Sequence, residues 1–222
     1  MRIGSNDIVY CPSCNAQQRQ TSWDTYMSYG EKYYTDGKKV DSAPGYPYYI
    51  KCRECGVFFK TENCVTKGKE GFRTSYGSPP QTDFLNVDGY RSAIASGLFN
   101  AEQEGSEAWK KDILNLRLEL WRKFNDRIRN ISENTQEVPE LFESEDEEKA
   151  YRDNCREILR FLEEIADDES YLRRAELLRN LGEFDECRRM LDKIKDTEKY
   201  AAHIGVIRKM CENMNTRTVR IL

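Results

Sequence analysis

The chain has 222 residues, with 35 Lys and Arg against 39 Asp and Glu and a net charge of -4. Its 38% hydrophobic and 11% aromatic content argues against disorder. No apolar run approaches the ~20 residues of a membrane span, and Met1–Asp7 lacks a signal-like stretch, so a cytoplasmic protein with no membrane partner is expected.

The first chemical signal is Cys11-Pro12-Ser13-Cys14, and its counterpart is Cys52-Arg53-Glu54-Cys55. Two intervening residues let both sulfurs of a pair face one cation from a tight turn. Gly56 and Asn15 follow the two pairs, and both residue types tolerate positive φ. Together the pairs supply four thiolates for a closed tetrahedral site. Structural Zn2+ is the expected cofactor, with Fe in a rubredoxin-like site as the alternative. A catalytic zinc keeps an open position and often uses His. The single histidine, His203, stands far away in sequence. Cys64 follows Cys55 by nine residues and is a conceivable substitute ligand.

Between the pairs lies an aromatic insertion. Tyr33-Tyr34-Thr35-Asp36-Gly37-Lys38-Lys39-Val40 places Asp-Gly between strand-like flanks and predicts a hairpin with a type I′ turn. Gly45–Ile50 reads as an extended run into the second pair, and Val57-Phe58-Phe59 as the strand leaving it. Tyr26, Tyr29, Tyr33, Tyr34, Tyr46, Tyr48 and Tyr49 interleave with Lys32, Lys38, Lys39, Lys51 and Arg53. Such a surface could stack bases and neutralise phosphates. Tyr33, Tyr34, Lys38 and Lys39 are therefore the residues for a nucleic-acid alternative. Aromatics also serve a small lobe as its core, and residues 1–85 carry only net +2.

Residues 67–81, with three glycines and Pro79-Pro80, read as a linker. Composition changes near residue 85, giving an expected division into a β-rich ribbon, 1–85, and a helical bundle, 86–222. The second part has net charge -6. A helix is predicted over 87–99. A longer one opens at the N-cap Ser106 and runs to about Ile131. Its stripe is Trp109, Ile113, Leu116, Leu120, Phe124, Ile128 and Ile131, widened by Leu114, Leu118 and Trp121. An acidic connection, 132–143, contains Pro139. Ser144–Glu147 has capping-box spacing. The next helix carries Tyr151, Cys155, Ile158, Leu162 and Ile165. A helix pair follows at 169–181 and 184–195, split by Gly182, and a last helix at 197–214. Cys155, Cys187 and Cys211 sit at apolar helical positions and read as core residues.

No phosphate-binding loop, dinucleotide fingerprint, zinc-protease motif or nucleophile elbow is present. With one histidine there is little room for acid–base chemistry at neutral pH. A non-enzymatic protein is expected. Glu163-Glu164 and Asp167-Asp168 read as solvated charge, and Arg122, Lys123, Arg127 and Arg129 as partners of a helix C-terminus.

Tyr171–Ile194 resembles one tetratricopeptide repeat. Tyr171, Ala175, Leu178, Gly182, Phe184, Cys187 and Leu191 match that pattern, whereas Arg174 departs from it. The whole arrangement is similar to a group of bacterial proteins. These open with a zinc ribbon holding an aromatic Asp-Gly-Lys hairpin and end in tetratricopeptide-like helices. The resemblance rests on the two cysteine pairs, on Tyr29-Gly30 through Thr35-Asp36-Gly37-Lys38, and on Gly182–Cys187. It implies an α+β fold and no particular activity. The expected function is an interaction module whose helical part binds a protein or peptide.

Overall fold

The computed structural model describes residues 2–3, 7–20, 23–25, 30–40, 47–63, 82–99, 105–129 and 140–221. Cys64, Tyr26, Tyr29, Tyr46, Ile131, the 67–81 segment and Pro139 fall outside these residues. The architecture is α+β, with a small N-terminal β-hairpin region followed by helices. The described strands are β1 (Arg2–Ile3), β2 (Asp7–Tyr10), β3 (Gln17–Gln20), β4 (Trp23–Thr25), β5 (Lys32–Tyr33), β6 (Lys39–Val40), β7 (Tyr49–Lys51) and β8 (Phe58–Lys60). The helices are α1 (Val87–Ser96), α2 (Glu107–Arg129), α3 (Glu145–Leu162), α4 (Asp168–Asn180), α5 (Phe184–Leu191) and α6 (Ala201–Glu212).

Two compact units form. One comprises Met1–Gly30 with Asp41–Leu116, the other Glu31–Val40 with Arg117–Leu222. The composition change near residue 85 thus lies within the first unit. The second unit takes a ten-residue piece from between the cysteine pairs.

In the first unit, β2 pairs with β3 and β7 with β8, both antiparallel. Each of these hairpins carries one cysteine pair in its turn. Strand alternation sends Val9, Ile50 and Phe59 inward, where they pack with Cys11 and Cys52 beside Ala16 and Phe99. The Tyr49 ring meets Tyr48 and Tyr90 edge-on, at centroid distances of 4.8 and 6.4 Å. Asn86 caps α1 by accepting from the Gly89 N–H at 2.8 Å. The sequence predicts α1 to residue 99, but it stops at Ser96. Gly97 adopts φ +76°, and Phe99 N–H donates to the Phe58 carbonyl at 2.7 Å. A residue bonded along a strand cannot also extend the helix.

In the second unit, β5 pairs with β6. The turn is not type I′. Among the described residues only Asn15 and Met214 have positive φ without being glycine, so Asp36 lacks the backbone that type requires. Instead Gly37 N–H bonds the Tyr34 carbonyl at 2.9 Å, and Tyr34 N–H the Lys38 carbonyl at 3.0 Å, with φ +74° at Gly37. This is a three-residue loop closed by a left-handed glycine.

Helix α2 begins as expected, with Ser106 Oγ accepting from Trp109 N–H at 3.2 Å. Leu118, Leu120, Trp121, Phe124 and Ile128 are buried, so its apolar stripe is broad. Ser144 caps α3 through Glu147 N–H, but the return bond of Glu147 goes to Glu143 N–H at 2.8 Å. Glu147 also receives both guanidinium arms of Arg127, at 2.6 and 2.9 Å. Between α4 and α5, Gly182 holds φ +82° while Glu183 N–H reaches the Leu178 carbonyl at 2.8 Å. That bond closes a Schellman turn. Leu172, Ala175, Leu178, Cys187, Met190, Leu191, Ile194, Ile207 and Cys211 form the core beneath it. The last helix is shorter than the predicted 197–214, starting at Ala201 after a turn.

Candidate metal centre

Cys11, Cys14, Cys52 and Cys55 sit in two turns of matching construction. Asn15 N–H donates to the Cys11 carbonyl and Gly56 N–H to the Cys52 carbonyl, both at 2.9 Å. Cys11 N–H closes on the Ala16 carbonyl at 2.9 Å and Cys52 N–H on that of Val57 at 2.8 Å. Asn15 and Gly56 take φ +60° and +75°, the left-handed backbone each turn needs.

The two turns bring the thiols together. All four sulfurs lie within 4.8 Å of one another, a set that could hold a metal ion. The Cys11–Cys55 and Cys14–Cys52 sulfur separations are 3.7 and 3.6 Å. A tetrahedral ion with metal–sulfur bonds near 2.3 Å needs sulfurs about 3.8 Å apart, so the cage has the right size. Cys11 and Cys52 are buried against the hairpin core, while Cys14 and Cys55 are exposed. Burial pushes the Cys11 thiol up to about 12. The hydrogen bond from Val57 N–H draws the Cys55 thiol down to about 7. Backbone N–H groups aimed at sulfur favour the thiolate that a metal requires.

Of the four candidate residues of the Tyr/Lys hairpin, Tyr33 and Lys39 are exposed, Lys38 is partly exposed and Tyr34 is buried. Tyr34 is buried under the Arg129 guanidinium, 4.5 Å from its ring centroid, and donates its hydroxyl to the Arg129 carbonyl. Lys38 Nζ pairs with both carboxylate oxygens of Asp126 at 2.7 Å. Tyr33 and Lys39 both turn to Glu31, at 2.7 and 2.6 Å.

Sequence reasoning missed a buried polar cluster around this hairpin. Asp36 pairs with Arg129, and Asn125 Nδ2 adds a bond to the same carboxylate at 3.1 Å. Thr35 Oγ1 donates to Glu176 at 2.5 Å, and Glu176 pairs with Arg179. Glu176 and Arg179 are both fully buried. Asn180 accepts from Trp121 Nε1 at 3.0 Å. One signal was available: steps of four and three put Glu176 and Arg179 on the same α4 face as the apolar Leu172.

The remaining described thiols, Cys155, Cys187 and Cys211, are buried in the helices, and Cys187 and Cys211 lie 3.3 Å apart. Desolvation pushes Cys155 and Cys187 far up, so both are neutral packing groups. His203 is half-buried beside Tyr200, and desolvation lowers its pKa. Among the described residues, no helix is long and apolar enough to cross a membrane. No protein-family model matches the chain, and neither does any curated protein or solved structure.

Proposed function

We propose that the chain is a non-enzymatic interaction module. A structural zinc ion holds its β-hairpin unit, and its helical unit binds a protein or peptide. The observation that carries this reading is the cage of four thiols on two matching turns. Four protein ligands fill a tetrahedral shell and leave no position for substrate or water, which fits a structural ion rather than a catalytic one. Zinc suits thiolates in an ordinary reducing compartment, and it needs no redox partner. On the helical side, α4 and α5 pack as a hairpin about Ala175 and Cys187, like a single tetratricopeptide repeat. One such pair cannot bury both its faces, and α6 contributes Ile207 and Cys211 to its core.

Elemental analysis of protein grown without added metal tests the first half. One zinc per chain is expected. A red protein with one iron replaces zinc by a rubredoxin-like site, and absence of both ends the metal assignment. Cross-linking in native lysate, followed by reconstitution with the purified partner, tests the second half. A chain that reconstitutes with no partner at micromolar concentration is not an interaction module.

A further inference from the structure

Residues 215–221 lie as an extended strap along the hairpin of the second unit. Tyr34 and Arg220 form an antiparallel bridge. Ile221 N–H donates to the Tyr33 carbonyl at 2.7 Å, and Thr35 N–H to the Val219 carbonyl at 3.0 Å. Val219 N–H reaches Thr35 Oγ1 at 3.2 Å. From α4, Arg179 donates to the Asn215 carbonyl and Asn180 Nδ2 to the Thr216 carbonyl, the latter at 2.8 Å. Every one of these bonds goes to the main chain of the strap. Of its side chains only Thr218 is buried, and Thr216, Arg217 and Arg220 are exposed.

Recognition through the main chain is the mode of β-strand addition, which tolerates changes of sequence. The link to α6 is strained. Met214 is 74% exposed and holds φ +51°, a backbone that costs a non-glycine residue roughly 1–2 kcal/mol. Its side chain packs against little that repays this. The capping bonds of α6 on one side and the docked strap on the other hold it there. Strain in a short hinge favours exchange of the segment it tethers.

We infer that the edge of β5, with Arg179 and Asn180 of α4, is a strand-accepting site. The strap fills it in the resting chain. An extended, β-branched peptide segment of a partner protein takes its place. This deepens the proposal of a peptide-binding helical unit and rests on it. The partner strand needs free main-chain N–H and C=O groups on one edge and a small β-branched residue at the position of Thr218.

The test uses the full chain carrying Val219→Pro and Ile221→Pro, which remove the two N–H groups the strap donates to the hairpin. A fluorescent peptide of residues 215–221 should bind this variant about tenfold more tightly than the unaltered protein, because the tethered competitor is weakened. A peptide with proline at both of those positions should not bind. No saturable binding to a variant with native helix and metal content overturns the inference, as does equal binding of the proline peptide. If the variant does not fold, hydrogen exchange of the unaltered protein gives the answer. Millimolar peptide should speed exchange in residues 215–221, and an unchanged rate overturns the inference. Failure here leaves partner reconstitution elsewhere on the helices standing, whereas failed reconstitution beside intact peptide binding removes the interaction reading and the partner strand with it, and leaves only an exchangeable strap.

Discussion

Asp36 and Arg129, 93 residues apart in sequence, form an ion pair whose side chains are essentially sealed from water. One guanidinium arm meets Asp36 Oδ1 at 2.9 Å and the other meets Oδ2. Asn125 Nδ2 and the Lys38 N–H, each at 3.1 Å, complete the carboxylate's shell. Arg129 Nε is taken by Asp126 at 2.9 Å. A buried pair satisfied this fully tolerates its desolvation, but losing one partner strands the other charge. Asp36→Asn should therefore destabilise the second unit by about 3–5 kcal/mol in urea unfolding followed by circular dichroism. A loss below about 1 kcal/mol, the scale of an exposed pair, would mean the carboxylate is not engaged as described.

The same pair sets a pH dependence. Burial alone would raise the Asp36 carboxyl, but Arg129 overrides it through hydrogen bonds and charge and holds the group below the usual carboxylate range. A lowered folded value means that the unfolded chain binds the proton more readily. The contribution of Asp36 is then complete above its unfolded value of about 3.9, and it is lost as pH falls through the folded one. Unfolding free energies of wild type and Asp36→Asn should differ by a constant amount from pH 7 to 5. They should converge only below about pH 4. Convergence already at pH 6 would point to another titrating group.

The metal should govern the first unit selectively. Two of the five residues at the centre of its small core, Cys11 and Cys52, are themselves candidate ligands. Structural zinc in comparable small folds supplies ~10–16 kcal/mol of folding free energy. Chelation, or Cys52→Ser, should abolish hydrogen-exchange protection in residues 7–20 and 47–60. Protection in α4 and α5, whose core contains none of these four cysteines, should persist. Equal protection of the hairpins with and without metal would refute the structural role.

The metal cage was legible in the sequence because each turn is a local object. Two cysteines, two spacers and a residue able to take positive φ fit within six positions, and nothing distant decides them. Gly182 and the helix pair it divides were legible for the same reason. The hairpin at Asp36-Gly37 was only half legible. The glycine marks a turn, but Asp36 is held by Arg129, Asn125 and Arg122, all remote in sequence. Tyr34 and Lys38 illustrate the larger difficulty. As composition they resemble a nucleic-acid surface, yet Arg129 and Asp126 claim them internally. A local pattern cannot distinguish a cation that faces solvent from one paired with a carboxylate remote in sequence.

Asn180 offers a way to test whether the buried polar cluster works as a unit. Its Oδ1 accepts from Trp121 Nε1 at 3.0 Å and lies 3.2 Å from the Tyr151 hydroxyl, while its Nδ2 serves the Thr216 carbonyl. Tyr151 and Trp121 are both buried. Asn180→Ala leaves the Thr216 carbonyl without this donor and the indole N–H with only its longer contact to Tyr151 at 3.2 Å. Each buried group deprived of its partner costs about 1–3 kcal/mol, so a loss of about 2–4 kcal/mol is expected. Asn180→Asp likewise loses the donor to Thr216 and sets a carboxyl beside the buried Glu176, so it should free the strap at a cost no smaller than that of the alanine. Hydrogen exchange in residues 215–221 should therefore rise in both variants. If exchange of the strap is unchanged in both, Asn180 does not hold it.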